Sequence, residues 1–237
     1  MKRVQLFCLP YAGGNSSMFH DLALGLSDWI EIIPVEYNHV IDIEKNDTFD
    51  EMLNEVVTQI IRLTNDQPFA IFGYSMGSLI AYEVYYEIVR RTDRKPIHMF
   101  FAAHVPPNRH VPYDFDDVTA RKRLEANLKI MGWTLPKTEY QDLLDWVMPK
   151  FLGDLRLYSR YKYKESRELI STNITVLFSD QENQQGQIYD WAALTSKFCM
   201  YHHMGNHHFF IHTEVKDVAK KINEAITTEL IQPILNV

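Results

Sequence analysis

Two cysteines, Cys8 and Cys199, are all that the 237 residues contain. So small a supply excludes a disulfide framework. Both lie in apolar runs where a thiol acts as a small hydrophobe, so a reducing cytoplasm is the expected setting. Long apolar runs are missing too, and none reaches the length that crosses a bilayer. The opening Met1-Lys2-Arg3 and the apolar residues after it look like a leader, but the run ends at Pro10 without a cleavage-like site. A protein that is not exported is expected. Positive charge is in deficit: the formal net charge is −7, which gives general nucleic-acid binding no electrostatic footing. Repeats, low-complexity tracts and linkers are also lacking, so residues 1–237 read as a single domain, expected to act as a monomer.

What is present is core material, with 46% of residues apolar. That content excludes a disordered class. Short apolar runs alternate with amphipathic segments, the pattern of a mostly parallel sheet with helices on its faces. Strands are expected at Val4–Leu9, Glu31–Val35, Phe69–Phe72, Ile97–Ala102, Ile174–Phe178 and Phe198–His202. Helices are expected near Ser17–Leu26, Phe49–Leu63, Ser75–Arg90, Tyr189–Ser196 and Glu214–Leu230. The stretch from about 112 to 170 breaks the alternation. Asp116–Met131, Lys137–Met148 and Phe151–Tyr161 read as three short helices, punctuated by Gly132, Pro136, Pro149 and Gly153. An insertion of this length predicts a helical lid.

Gly73-Tyr74-Ser75-Met76-Gly77 is a G-x-S-x-G sequence between an apolar strand and a helix. The turn it predicts needs small residues beside the serine, lifts Oγ above the sheet and sets it at a helix N-terminus. Strand, motif and helix in this order predict an α/β-hydrolase fold with Ser75 as nucleophile. An oxyanion hole needs two converging N–H groups. Met76, next after the serine, is one expected donor. Pro10-Tyr11-Ala12-Gly13-Gly14, after the first strand, offers the other, with Ala12 ahead of Tyr11.

In this fold the acid and the histidine follow the serine along the chain. His207, after the loop signal Gly205-Asn206, is the preferred base, with the adjacent His208 as alternative. The acid belongs after strand Ile174–Phe178, where Asp180 is preferred to Glu182 for standing nearer the strand end. Two pairs among His202, His203, His207, His208 and His212 have metal-ligand spacing. Gly205 and Asn206 interrupt one of them and no H-E-x-x-H glutamate is present, so no metal site is expected.

These residues bring a family with them. The chain resembles the type II, or discrete, thioesterases that accompany nonribosomal peptide and polyketide synthases. The likeness rests on Leu6–Gly14, on Ile32–Glu36, on Phe72–Glu83 around the serine and on Gly205–Phe210. It implies hydrolysis of acyl or aminoacyl thioesters from the phosphopantetheine arm of carrier domains, through an acyl-serine and without a cofactor. Such an enzyme edits misprimed chains or releases products in secondary-metabolite, including antibiotic, biosynthesis. The resemblance also implies Ser75 and His207 as catalytic, with Met76 and the Tyr11–Ala12 segment at the oxyanion. The chain departs from the family at Tyr74, usually His, at Asn206, usually Gly, and in the turn that bears the acid. Segment 150–167 carries six basic residues against Asp154 and Glu165, a candidate docking surface for an acidic carrier. Trp133, Leu143, Leu144, Trp146 and Met148 are candidates to line an acyl pocket. A carboxylesterase or acyltransferase on the same fold, or an inactive carrier-binding module, are the alternatives.

Overall fold

Apolar runs of five or six residues are too short for buried helices but long enough to cross a sheet. They form β1 (Val4–Leu9), β2 (Ile30–Pro34), β3 (Phe69–Tyr74), β4 (His98–Ala102), β5 (Asn173–Phe178) and β6 (Cys199–His203). The computed structural model describes residues 3–37, 48–112, 116–132 and 136–235. All six strands pair in parallel, in the order β2-β1-β3-β4-β5-β6.

Parallel strands are covered on both faces, and alternation within β1 shows how. Phe7 and Leu9 join one core with Ile71 of β3, while Val4, Leu6 and Cys8 join the opposite core with Ala70 and Phe72. The first core is roofed by α2 (Phe49–Leu63) and α3 (Met76–Arg91), the second by α1 (His20–Gly25) and α7 (Val215–Leu235). In α2, Met52, Leu53, Val56, Val57 and Ile60 are buried at helical spacing, and Thr48 and Glu51 close a capping box at its start. Each such fully buried side chain contributes about 1.5–3 kcal/mol of hydrophobic stabilisation.

The lid consists of two helices where three were expected: α4 (Asp117–Ile130) and α5 (Lys137–Arg160). Pro149 lies inside α5 without ending it. Proline deletes one helical N–H bond. Packing of Leu144, Phe151 and Leu155 with Leu124 and Leu128 of α4 holds the helix through that loss. The helix expected at Tyr189–Ser196 is a 3-10 segment, Gln187–Leu194, and a short α6 (Phe210–Thr213) precedes α7. At the lid's C-terminal base, the buried Glu83 of α3 accepts from Tyr161 at 2.8 Å and pairs with Arg167 at 2.8 Å. Among the described residues no helix is long and apolar enough to cross a membrane.

Candidate active site

Strand register sets up one edge of the sheet as the working edge. Tyr74 pairs with Ala102, Ala102 with Leu177, and Leu177 with His202, so β3 to β6 end side by side. The loops that leave these C-terminal ends meet above the sheet, where open α/β sheets bind ligands.

Ser75 occupies the turn from β3 into α3, with φ 54° and ψ −119°. A non-glycine residue with positive φ is strained by about 1–3 kcal/mol. Its surroundings hold it there. Ser75 N–H donates to Ala102 O at 2.8 Å, and Ser78 N–H donates to Ser75 O at 2.9 Å. The buried Ser78 hydroxyl lies 2.8 Å from Gly73 O and 2.7 Å from Ala102 O, and accepts from Ala102 N–H at 2.9 Å. Nothing in the motif pattern singles out Ser78, yet it pins the turn to β4. The two flanking glycines are needed because a Cβ on Gly73 would meet Gly77 O at 2.3 Å, and one on Gly77 would meet Leu9 O at 2.2 Å.

The histidine beside Ser75 is His208, not His207. His208 Nε2 lies 3.0 Å from Ser75 Oγ, whereas His207 is exposed. The backbone of His208 is held on both sides: its N–H donates to Gln181 Oε1 at 2.9 Å, and its carbonyl accepts from the Tyr74 hydroxyl. Tyr74, one of the departures from the family pattern, thus ties the strand that leads into Ser75 to the loop of His208.

The carboxylate behind the histidine is Glu182, not Asp180. Glu182 Oε1 lies 2.6 Å from His208 Nδ1. Its Oε2 accepts from Ser179 N–H at 2.8 Å and from Ser179 Oγ at 2.6 Å. Burial works to raise the Glu182 carboxyl, but the hydrogen bonds from His208 and Ser179 outweigh it and hold the pKa below the ordinary carboxylate value. Asp180 instead points outward, 64% exposed, with Oδ1 2.8 Å from His203 Nε2. The nearer acid fails because the turn after β5 curls back on itself. Only the longer side chain, two residues on, reaches under the imidazole.

Met76 is the first residue of α3, so its N–H has no partner inside the helix. In the loop after β1, Gly14 N–H donates to Tyr11 O at 2.8 Å and Gly13 N–H to Asp154 Oδ2 at 2.7 Å. These bonds leave Ala12 as the donor of the Ala12–Gly14 turn not engaged by protein among the described residues. Ala12, Met76, Ser75, Glu182 and His208 line one cavity of about 460 Å³. A second cavity, of about 420 Å³, lies beyond Phe151 and Phe209, which line both. Leu143 and Trp146 line this second cavity, whereas Leu144 and Met148 pack in the lid's own core, and Trp133 lies outside the described residues.

His104, which sequence patterning did not single out, also lines the first cavity. Burial pushes its imidazole down to about 4. Its Nδ1–H donates to Val105 O and its Nε2 accepts from the Tyr158 hydroxyl at 2.9 Å, so it is a neutral wall of the site. Of the other histidines in the C-terminal run, His212 lies 3.2 Å from the Tyr11 hydroxyl. Among the described residues no three metal-ligating side chains come together.

The basic segment 150–167 is largely neutralised within the molecule. Lys150 pairs with Asp154 at 2.9 Å, Arg156 with Asp117 at 3.7 Å, Lys164 with Asp50 at 3.2 Å and Arg167 with Glu83 at 2.8 Å. Beyond Asp154, which lies within the segment, three carboxylates of α2, α3 and α4 thus offset part of the charge excess expected to attract a carrier.

Comparison with known proteins bears on what this site does. The thioesterase domain model matches residues 4–226. Among curated proteins, the medium-chain S-acyl fatty acid synthase thioesterase of Anas platyrhynchos is 25% identical over 87% of this chain and 85% of that protein. The gramicidin S biosynthesis protein GrsT of Aneurinibacillus migulanus is 25% identical over 89% of this chain and 84% of its own length. Among solved structures, the type II thioesterase BorB from the borrelidin biosynthetic cluster superposes with a TM-score of 0.79. It is 21% identical and covers 94% of this chain and 92% of BorB. The chain has the α/β-hydrolase fold with a helical insertion and belongs to the thioesterase domain family.

Proposed function

We propose that the chain is a type II thioesterase that hydrolyses acyl or aminoacyl thioesters on the phosphopantetheine arm of carrier proteins, through an acyl-Ser75 intermediate. The observation that carries this reading is the file of Ser75 Oγ, His208 and Glu182, at 3.0 and 2.6 Å, opening into a cavity under a lid. Curated relatives named as an S-acyl fatty acid synthase thioesterase and as a gramicidin S biosynthesis protein support the substrate class.

In the first half-reaction, His208 Nε2 takes the Oγ proton as Ser75 attacks the thioester carbonyl. The Glu182 carboxylate fixes the tautomer with the proton on Nδ1 and stabilises the imidazolium that forms. The N–H groups of Met76 and Ala12 receive the oxyanion. Collapse of the tetrahedral adduct breaks the carbon–sulfur bond, and His208 returns the proton to the departing sulfur. Water then attacks the acyl carbonyl as His208 takes its proton, and the second tetrahedral adduct breaks its bond to Ser75 Oγ, which recovers the proton from His208 as the acid leaves. No step calls for a cofactor.

Release from a carrier loaded with acetyl-, aminoacyl- or longer acyl-phosphopantetheine, followed by intact-protein mass spectrometry, tests the proposal. Faster release from the carrier than from a free thioester, abolished in Ser75→Ala, is expected. Ready cleavage of a p-nitrophenyl ester with the carrier thioester untouched would replace the reading with an esterase.

A further inference from the structure

The inner half of α5 does more than roof the cavity: it grips the loop proposed to supply the second oxyanion donor. Asp154, whose side chain is 0% exposed, uses Oδ2 to accept from Gly13 N–H at 2.7 Å and from Lys150 Nζ at 2.9 Å. The Lys150 ammonium in turn lies 4.9 Å from the Tyr37 ring, and the Tyr37 hydroxyl donates to Pro10 O. A Cβ on Gly13 would lie 3.1 Å from the Phe151 ring, so helix and loop are in close contact.

A peptide unit is planar, so a bond to one end of it fixes the other. The Pro10–Tyr11 unit is held at Pro10 O by Tyr37. The Tyr11–Ala12 unit, which carries the Ala12 N–H, is held at Tyr11 O by Gly14 N–H. The Ala12–Gly13 unit is held at Gly13 N–H by Asp154. Burying a carboxylate costs several kcal/mol of lost hydration unless it is paired and hydrogen-bonded. Its partners include one ammonium and the peptide N–H next to the proposed donor. Charge-assisted bonds of this kind are about twice as strong as neutral ones. We infer that Asp154 is a positioning residue for the oxyanion hole, acting through Gly13 on Ala12, so that the donor is in place only while the lid helix is docked. This inference rests on the thioesterase reading of the site.

Asp154→Leu removes the acceptor while keeping the branch at Cγ, and Asp154→Asn keeps an uncharged acceptor. Each is compared with wild type and Ser75→Ala for kcat and KM on an acyl-N-acetylcysteamine thioester. Each is also titrated with two ligands: a trifluoromethyl ketone analogue, which forms an oxyanion on Ser75, and an unreactive thioether analogue. For Asp154→Leu, kcat is expected to fall about 10- to 100-fold with KM within about threefold, less than the loss of a whole donor. Ketone affinity should fall by the same factor while thioether affinity holds. Asp154→Asn is expected to lose about three- to tenfold in kcat, with the ketone tracking it. If the leucine variant fails to fold, the asparagine variant decides. A change under about twofold in kcat, or equal loss of both ligands, overturns the inference. A wild type that leaves the thioester intact, or a Ser75→Ala that still turns it over, strikes down the underlying reading instead.

Discussion

Two adjacent histidines and two acids two residues apart compete for one geometry. His208 has Ser75 Oγ at one nitrogen and Glu182 at the other, whereas His207 and Asp180 face solvent. His208→Ala should therefore lower kcat/KM by about 10³-fold or more, and Glu182→Ala by about 10²- to 10⁴-fold. His207→Ala and Asp180→Ala should each stay within about threefold of wild type, since exposed residues away from the reacting atoms carry little. Steady-state kinetics on one acyl thioester checks all four; a loss in His207→Ala to match His208→Ala would refute the assignment. Ser75 was legible because strand, small residues and helix surround it in sequence. Glu182 was less so, because proximity to the end of β5 favours Asp180. Side-chain length and the Ser179 bonds decide the contest, and neither is a feature of spacing.

Elements meet most tightly where α3 starts against β1. The clash at Gly77 is with the Leu9 carbonyl, in the strand that sits between β2 and β3, so neither side has room to yield. Gly77→Ala should cost about 3 kcal/mol or more, lowering Tm by roughly 6–12 °C. Gly186→Ala is the contrast. Gly186 has φ +70° with no atom within 4 Å of a built Cβ, so only the backbone penalty of about 1 kcal/mol applies. Thermal unfolding of the pair separates steric from conformational cost; equal shifts would show that the Gly77 contact relaxes. The six strands and most helices were legible from apolar periodicity. Pro149 was misread as a break because a local rule cannot see the α4 packing that carries α5 through it.

At the scale of the whole molecule, His104 ties stability to pH. The native imidazole stays neutral down to about 4, while an unfolded histidine takes a proton near 6.5. Between those values the unfolded chain binds more protons, so its share grows as pH falls. The stabilisation is complete above about 6.5 and is lost toward 4, a change on the order of 3 kcal/mol. Urea unfolding at neutral and mildly acid pH should show that slope in wild type and a shallower one in His104→Gln. Identical slopes would remove His104 from the account.

The order of the chain, unlike that of the sheet, spaces the three side chains widely. Ser75 is translated first, Glu182 follows 107 residues later and His208 133 residues after the serine. A chain that ends at β4 contains Ser75 and α3 but neither Glu182 nor His208. On the proposed function, hydrolysis therefore requires β5, β6 and the loop after them, and a chain that stops short of Glu182 would carry the serine without its proposed acid or base.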